Sequence, residues 1–276
     1  MLPWRRKLFS LGIGLKDMSV VDAHSQRLIT ALPLAEYLPG AATPATADWA
    51  PSIDAVLAQT NMPSGGDMVL TVSDAWVRYF MLDIPEGVGN MAELHALAAG
   101  RFEALFGSSP EGWKLEADWK ASGQVLVCAL PNRLVDVAAT LSAAGAWKIR
   151  SIQPYALRLQ SIFHSQIPSD GWLCCFARRS VVAMLVVAGE IVHVRRFPSV
   201  APLTAVGMGG LLAAEAMRIG AATPEVLCAL GIVPKLPDDG QVGGMRLVVA
   251  RGSKVVQVKQ GRMSESMCLA RQGAFA

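Results

Sequence analysis

The chain is short of the residues that build most catalytic centres. Its four histidines, His24, His95, His164 and His193, are scattered and show no HxxxH spacing, so nothing in the pattern suggests a zinc site. No GxSxG elbow occurs, which removes the usual frame for a serine hydrolase. Gly12-x-Gly14 lacks the third glycine of a dinucleotide fingerprint and reads as a turn at a strand end. Charged residues make up only 17% of the chain, and its net charge is +3. Without a basic stripe interleaved with aromatics, nucleic acid is excluded as the default partner.

The cysteines are few and unpaired in pattern. Cys128, Cys174, Cys175, Cys228 and Cys268 are odd in number and contain no CxxC. They read as reduced thiols serving as small core residues in a reducing compartment, and the adjacent Cys174 and Cys175 fall on opposite faces if their segment is a strand. Long hydrophobic runs are also missing. The longest uncharged stretch, 197–214, carries Pro198, Pro202 and three glycines, a poor membrane span. Arg5, Arg6 and Lys7 are followed by Lys16 and Asp17 with no apolar stretch long enough for a signal peptide. Asp238-Asp239-Gly240 reads as a solvated turn, and Trp113, Trp119 and Trp172 as packing residues.

What is abundant is apolar material, 52% of the residues, enough for a sizeable core. Three short strands are predicted over 7–34, then an Ala/Pro/Thr-rich loop, a brief helix over 52–60, and strands over 68–73 and 76–84. Asn90 with Glu93 three residues later makes a capping-box start. Met91, Leu94, Ala98, Phe102 and Leu105 then mark one helical face, and Gly107 stops it. A hairpin over 113–130 follows, then a helix through Leu134, Val137, Ala138 and Leu141, a strand over 147–152 and a short helix over 154–164. From Trp172 the opening pattern recurs. Three strands over 172–197 lead to a helix over 202–219, a strand over 225–230, and strands 245–249 and 254–260 taken as a last hairpin. The segment 264–276 fits no single element. Each half thus opens with a three-stranded meander and continues in helix–strand units, an α/β plan used twice.

Several stretches resemble one branch of the actin-like ATPase (ribonuclease H-like) superfamily. They are Val69-Leu70-Thr71-Val72-Ser73-Asp74 with Trp76-Val77-Arg78-Tyr79 and Leu82-Asp83-Ile84-Pro85, the helix 92–106 with Trp113, Cys128-Ala129-Leu130-Pro131, and Ser151-Ile152-Gln153-Pro154. This branch is the PilM family of type IV pilus assembly together with the cytoplasmic domain of GspL of type II secretion. The resemblance covers roughly 7–230. It implies a mixed sheet in each half: residues 1–153 with a strand–helix subdomain inserted at about 61–130, then 154–276 with the usual second-half insert reduced or absent. It also implies a cytoplasmic protein peripherally associated with the inner membrane. Such a protein would act as a non-catalytic scaffold that holds the cytoplasmic N-terminal tail of a single-pass, PilN-like membrane protein. Arg78, Tyr79 and Phe80 are the candidate tail-binding residues, and an assembly ATPase and a second copy of the chain are further partners.

The same resemblance implies where a nucleotide would sit. The first phosphate hairpin should read Asp-hydrophobic-Gly-Ser/Thr, but the matching stretch is Gly12-Ile13-Gly14-Leu15. The second reads Cys175-Phe176-Ala177-Arg178, without Asp or Gly, and only Gly231 remains of the adenosine-contacting glycine pair. Magnesium is held with its phosphates by carboxylates, so losing both acids predicts no cofactor, no metal and no turnover. Arg178 and Arg179 keep enough charge for weak anion binding. The rival readings are a working ATPase or sugar kinase of the same superfamily, and a membrane-surface protein anchored by Trp4, Arg5, Arg6 and Lys7.

Overall fold

A computed structural model of the chain describes residues 7–33, 65–143, 147–178, 180–198, 205–233, 240–255 and 264–274. The helix expected at 52–60, the residues Trp4, Arg5 and Arg6, and the acids Asp238 and Asp239 lie outside them.

In the first half, β1 (Leu8–Ile13), β2 (Asp17–Asp22) and β3 (Leu28–Pro33) form the antiparallel meander. Next, β4 (Asp67–Val72) pairs parallel with β1, and β8 (Lys148–Pro154) parallel with β4, giving the order β3-β2-β1-β4-β8. The second half repeats this plan. It consists of β9 (Gly171–Phe176), β10 (Ser180–Val187), β11 (Glu190–Pro198), β12 (Val226–Val233) and β14 (Met245–Val249), in the order β11-β10-β9-β12-β14, with β13 (Gln241–Val242) at the edge. Each antiparallel meander feeds two parallel strands, so the duplication read in the sequence is a duplication of topology.

The inserted unit begins after β4, because β4 belongs to the first-half sheet and not to the insert. It comprises β5 (Arg78–Ile84), β6 (Trp113–Ala117) and β7 (Gly123–Pro131), ordered β5-β7-β6, with α1 (Met91–Phe106) on one face. The start of α1 is the predicted capping box. Glu93 N donates to Asn90 Oδ1 at 3.0 Å, Asn90 Nδ2 donates to Glu93 Oε1 at 2.9 Å, and Gly107 closes the helix at φ 61°. The expected hairpin at the C-terminal end is corrected. β14 runs parallel to β12, and β15 (Lys254–Val255) pairs parallel with the end of β12, so among the described residues the two do not pair with each other.

α2 (Asn132–Ala143) packs Leu134, Val137, Ala138 and Leu141 on the first sheet, and α4 (Ala205–Arg218) packs Met208, Leu212 and Ala216 on the second. β9 is buried along its whole length, as a central strand covered on both faces must be. Cys174 faces the α4 side and Cys175 the other side.

The two halves are interlocked by their last helices. α3 (Tyr155–Ile162) leaves β8 and buries Tyr155, Ala156 and Leu159 against the second-half strands. α5 (Glu265–Gly273) comes from the second half and lies on β1, β2 and β4 of the first. The two helices meet. The Tyr155 hydroxyl donates to the Gln272 side-chain oxygen, and Arg158 donates to the Gly273 carbonyl from Nε (3.1 Å) and Nη2 (2.8 Å). The buried guanidinium thereby closes the free carbonyl end of α5.

Candidate functional site

Two places in the molecule concentrate side chains of functional interest. The first is a groove of about 900 Å³, at the upper end of the range of small-ligand pockets. One wall comes from β6, β7 and their turn (Glu116, Lys120, Leu126), the floor from α3 (Leu157, Gln160) and the opposite wall from the second half (Val186, Ile191). Its lining mixes apolar and polar side chains, and its rim is charged. At the rim, Lys120 Nζ meets Glu190 Oε2 at 2.6 Å and ties the β6–β7 turn to the β10–β11 turn.

The second is the junction of the first meander with α5. Gly14, in the β1–β2 turn, donates from its amide to the Asp17 carbonyl at 2.9 Å, and its own carbonyl accepts from Trp76 Nε1 at 2.9 Å. The next amide, Leu15 N, donates to Glu265 Oε2 at 3.1 Å, while Ser73 Oγ donates to Glu265 Oε1 at 2.7 Å. Ser266 Oγ bonds the Asp17 carboxylate and lies 2.7 Å from Ser19 Oγ. Gly12 sits against α5 so closely that a Cβ there would run into the Ser266 carbonyl. On the other side of the α3–α5 pair, Ala177 N closes the β9–β10 turn onto the Ser180 carbonyl at 2.9 Å. Cys175 is fully buried, with its thiol pushed well above the ordinary range by burial first and by nearby Asp74 second. Gly231, at φ 89°, is packed against Phe176, Tyr155 and Leu159, and donates to Ser253 Oγ at 3.2 Å.

Asp74 lies beside this junction. It is fully buried in the short turn after β4. Its Oδ1 accepts from Tyr79 Oη at 2.6 Å and from Ala156 N, in the first turn of α3, at 3.1 Å, while Oδ2 has no partner. Burial pushes this carboxyl up to about 6, against the lowering effect of the two hydrogen bonds.

The three residues expected to hold a tail lie on β5. Arg78 stacks its guanidinium over Trp113 (4.4 Å), Phe106 (4.8 Å) and Phe102 (5.2 Å), and donates to Ser108 Oγ. Phe80 packs edge-on against Phe102 and Phe106 inside the inserted unit. Tyr79, on the opposite face of β5, reaches back to Asp74. None of the three lines the groove. The histidines remain apart: His95 lies against Trp119, His193 pairs with Glu215, and His164 edges the groove. Among the described residues no three His, Cys, Asp or Glu side chains gather as a metal would require.

No protein-family model matches the chain, and no curated protein sequence matches it significantly. Solved structures do. The cytoplasmic domain of EpsL, an inner-membrane component of the type II secretion system of Vibrio cholerae, is 15% identical with a TM-score of 0.51, over 97% of this chain and 94% of that one. The PilM–PilN type IV pilus biogenesis complex is 13% identical with a TM-score of 0.56, over 98% of both chains. A Bacteroides thetaiotaomicron protein with an actin-like ATPase fold is 8% identical with a TM-score of 0.55, over 90% of this chain and 92% of that one. The fold is that of the actin-like ATPases.

In an actin-like fold the β1–β2 and β9–β10 turns are the two phosphate hairpins. Here their donors and acceptors are engaged within the chain. The open amide of the first is bonded to Glu265, its one carboxylate, Asp17, accepts from Ser266, and the second offers no carboxylate. The space at Gly231 is taken by Tyr155 and Leu159. Sequence reasoning missed Glu265 and Asp74 as the residues that define this junction. The available signal was Ser264 before Glu265, an N-cap followed by a first-turn acid.

Proposed function

We propose that this chain is a non-catalytic scaffold of a type IV pilus or type II secretion assembly platform. In this reading it binds the cytoplasmic tail of a single-pass inner-membrane protein in the groove between the inserted unit and the second half. One observation carries it: the actin-like plan is retained while its first phosphate hairpin is bonded to the chain's own side chains, and a separate groove stays open. The similarity to EpsL and to the PilM–PilN complex over nearly the whole chain supports the setting. No helix among the described residues is long and apolar enough to cross a membrane. Attachment at the inner membrane, on its cytoplasmic side, would then come from the bound tail. An assembly ATPase and a second copy of the chain are further partners in the same reading.

The test uses a fluorescent peptide copying the cytoplasmic tail of a PilN-like single-pass membrane protein from the same organism. The full chain should bind it. Leu126→Arg and Gln160→Trp, which charge and fill the groove, should weaken binding by at least about tenfold while leaving the melting temperature near wild type. Unchanged affinity in both variants refutes the groove. Magnesium-dependent ATP turnover by the purified wild type refutes the non-catalytic reading.

A further inference from the structure

We propose that Glu265 is a resident substitute for a phosphate group, and that α5 is the chain's own ligand for its first phosphate hairpin. This rests on the non-catalytic reading above and adds what took the nucleotide's place. Leu15 N and Ser73 Oγ each address a different oxygen of one carboxylate, at 3.1 and 2.7 Å. A backbone amide in a glycine-containing turn beside a serine hydroxyl is the donor set that receives a phosphate oxygen at an anion-binding loop. Glu265 is only 6% exposed, so the seat is filled and closed.

The helix is built to deliver that carboxylate. Ser264 Oγ caps the first turn by accepting from Met267 N, and Glu265 follows at the first helical position, where the positive end of the helix favours a negative charge. Ser266 fixes the register through Asp17 and Ser19. At the far end, Tyr155 and Arg158 of α3 hold Gln272 and Gly273. One nine-residue helix therefore spans the junction from the first hairpin to the crossover helix.

Gly12 joins the loss of one function to the gain of the other. The position where the resemblance expects a metal-binding acid carries no side chain. Any side chain there would collide with the Ser266 carbonyl and push α5 off the sheet. Removing the acid and admitting the helix are thus a single change. The halves are held together by a carboxylate that cannot dissociate, and their arrangement does not depend on nucleotide.

The experiment is thermal denaturation of the full chain as wild type, E265A, and E265A combined with S73A. Each is measured in chloride, acetate, inorganic phosphate and pyrophosphate at matched ionic strength. E265A should melt below wild type and recover part of that loss in acetate or phosphate. Wild type should not respond, and the double variant should lose the response. An E265A protein indifferent to all these anions overturns the proposal, as does a wild type that responds as strongly as E265A. Should E265A fail to fold, Glu265→Met fills a similar volume without an acceptor for either donor. Its Leu15 amide should then exchange with solvent at least about tenfold faster than in wild type, and an unchanged rate overturns the proposal. These readings involve neither tail peptide nor turnover, so their failure is separable from failure of the scaffold reading.

Discussion

Replacing Asp74 with asparagine should change how stability depends on pH. Asp74 is fully buried, and its carboxyl is pushed from 3.8 to about 6, chiefly by desolvation. The groups that bear on it are Tyr79 and Ala156 through hydrogen bonds, Arg196 by attraction, and Glu265 by repulsion. At 1.36 kcal/mol per unit, the shift amounts to about 3 kcal/mol. The folded protein holds this proton more tightly than the unfolded chain, so the associated stability is fully present below 3.8. It is lost as the pH rises through about 6. The asparagine side chain would keep an oxygen for Tyr79 and Ala156 and could not ionise. Its amide nitrogen would replace the unpartnered Oδ2 and carry a penalty of about 1–3 kcal/mol that is the same at every pH. The informative quantity is therefore the wild-type-minus-variant difference at two pH values, in which that penalty cancels. Urea denaturation at about pH 4 and about pH 8 should show wild type losing about 2 kcal/mol relative to Asp74→Asn, the remainder of the shift being expressed below pH 4. A difference that stays constant across this range would refute the account of Asp74 as a carboxyl whose proton is held more tightly by burial.

Three further changes test the packing. Gly12→Ala should destabilise by about 1–3 kcal/mol in urea denaturation, because the added methyl meets the Ser266 backbone, which cannot yield without moving α5. Arg78→Ala should lower stability by about 1–2 kcal/mol through loss of its stacking on Trp113, Phe106 and Phe102, and should leave tail-peptide affinity unchanged because Arg78 does not line the groove. Lys120→Ala removes the ion pair with Glu190, both partners being well exposed, so denaturation should shift by no more than about 1 kcal/mol and less at high salt.

The parts of the fold legible in the sequence are those where local chemistry and final environment agree. The meanders were visible because their strands pair with sequence neighbours across short turns. α1 was visible because its apolar face, its capping box and Gly107 all mark the same helix. The pairing of β14 and β15 was misread for the complementary reason. Both lie parallel to β12, and a parallel partner leaves no turn between neighbours to read. The groove was not legible at all, since its walls come from β6–β7, α3 and the β10–β11 turn, which meet only when the chain is folded.

α5 escaped notice for a different physical reason. Helices are found in sequence by an apolar stripe, but α5 is buried through close backbone approach. Only Cys268 and Leu269 of its covered positions carry a hydrophobic signal, and the others, Glu265, Ser266, Ala270, Gln272 and Gly273, are small or polar. At Gly273 a Cβ would collide with Thr71, as one at Gly12 would with Ser266, so a glycine on each side of the contact makes the approach possible. In the sequence Gly12 stands where the resemblance implies an acid. The absence of a side chain is also the requirement for the helix that brings Glu265 to the hairpin. In the reading proposed above, a degenerate phosphate loop need not be an open one. Where the lost acid is replaced by glycine, the closing helix can move in and supply a carboxylate of its own.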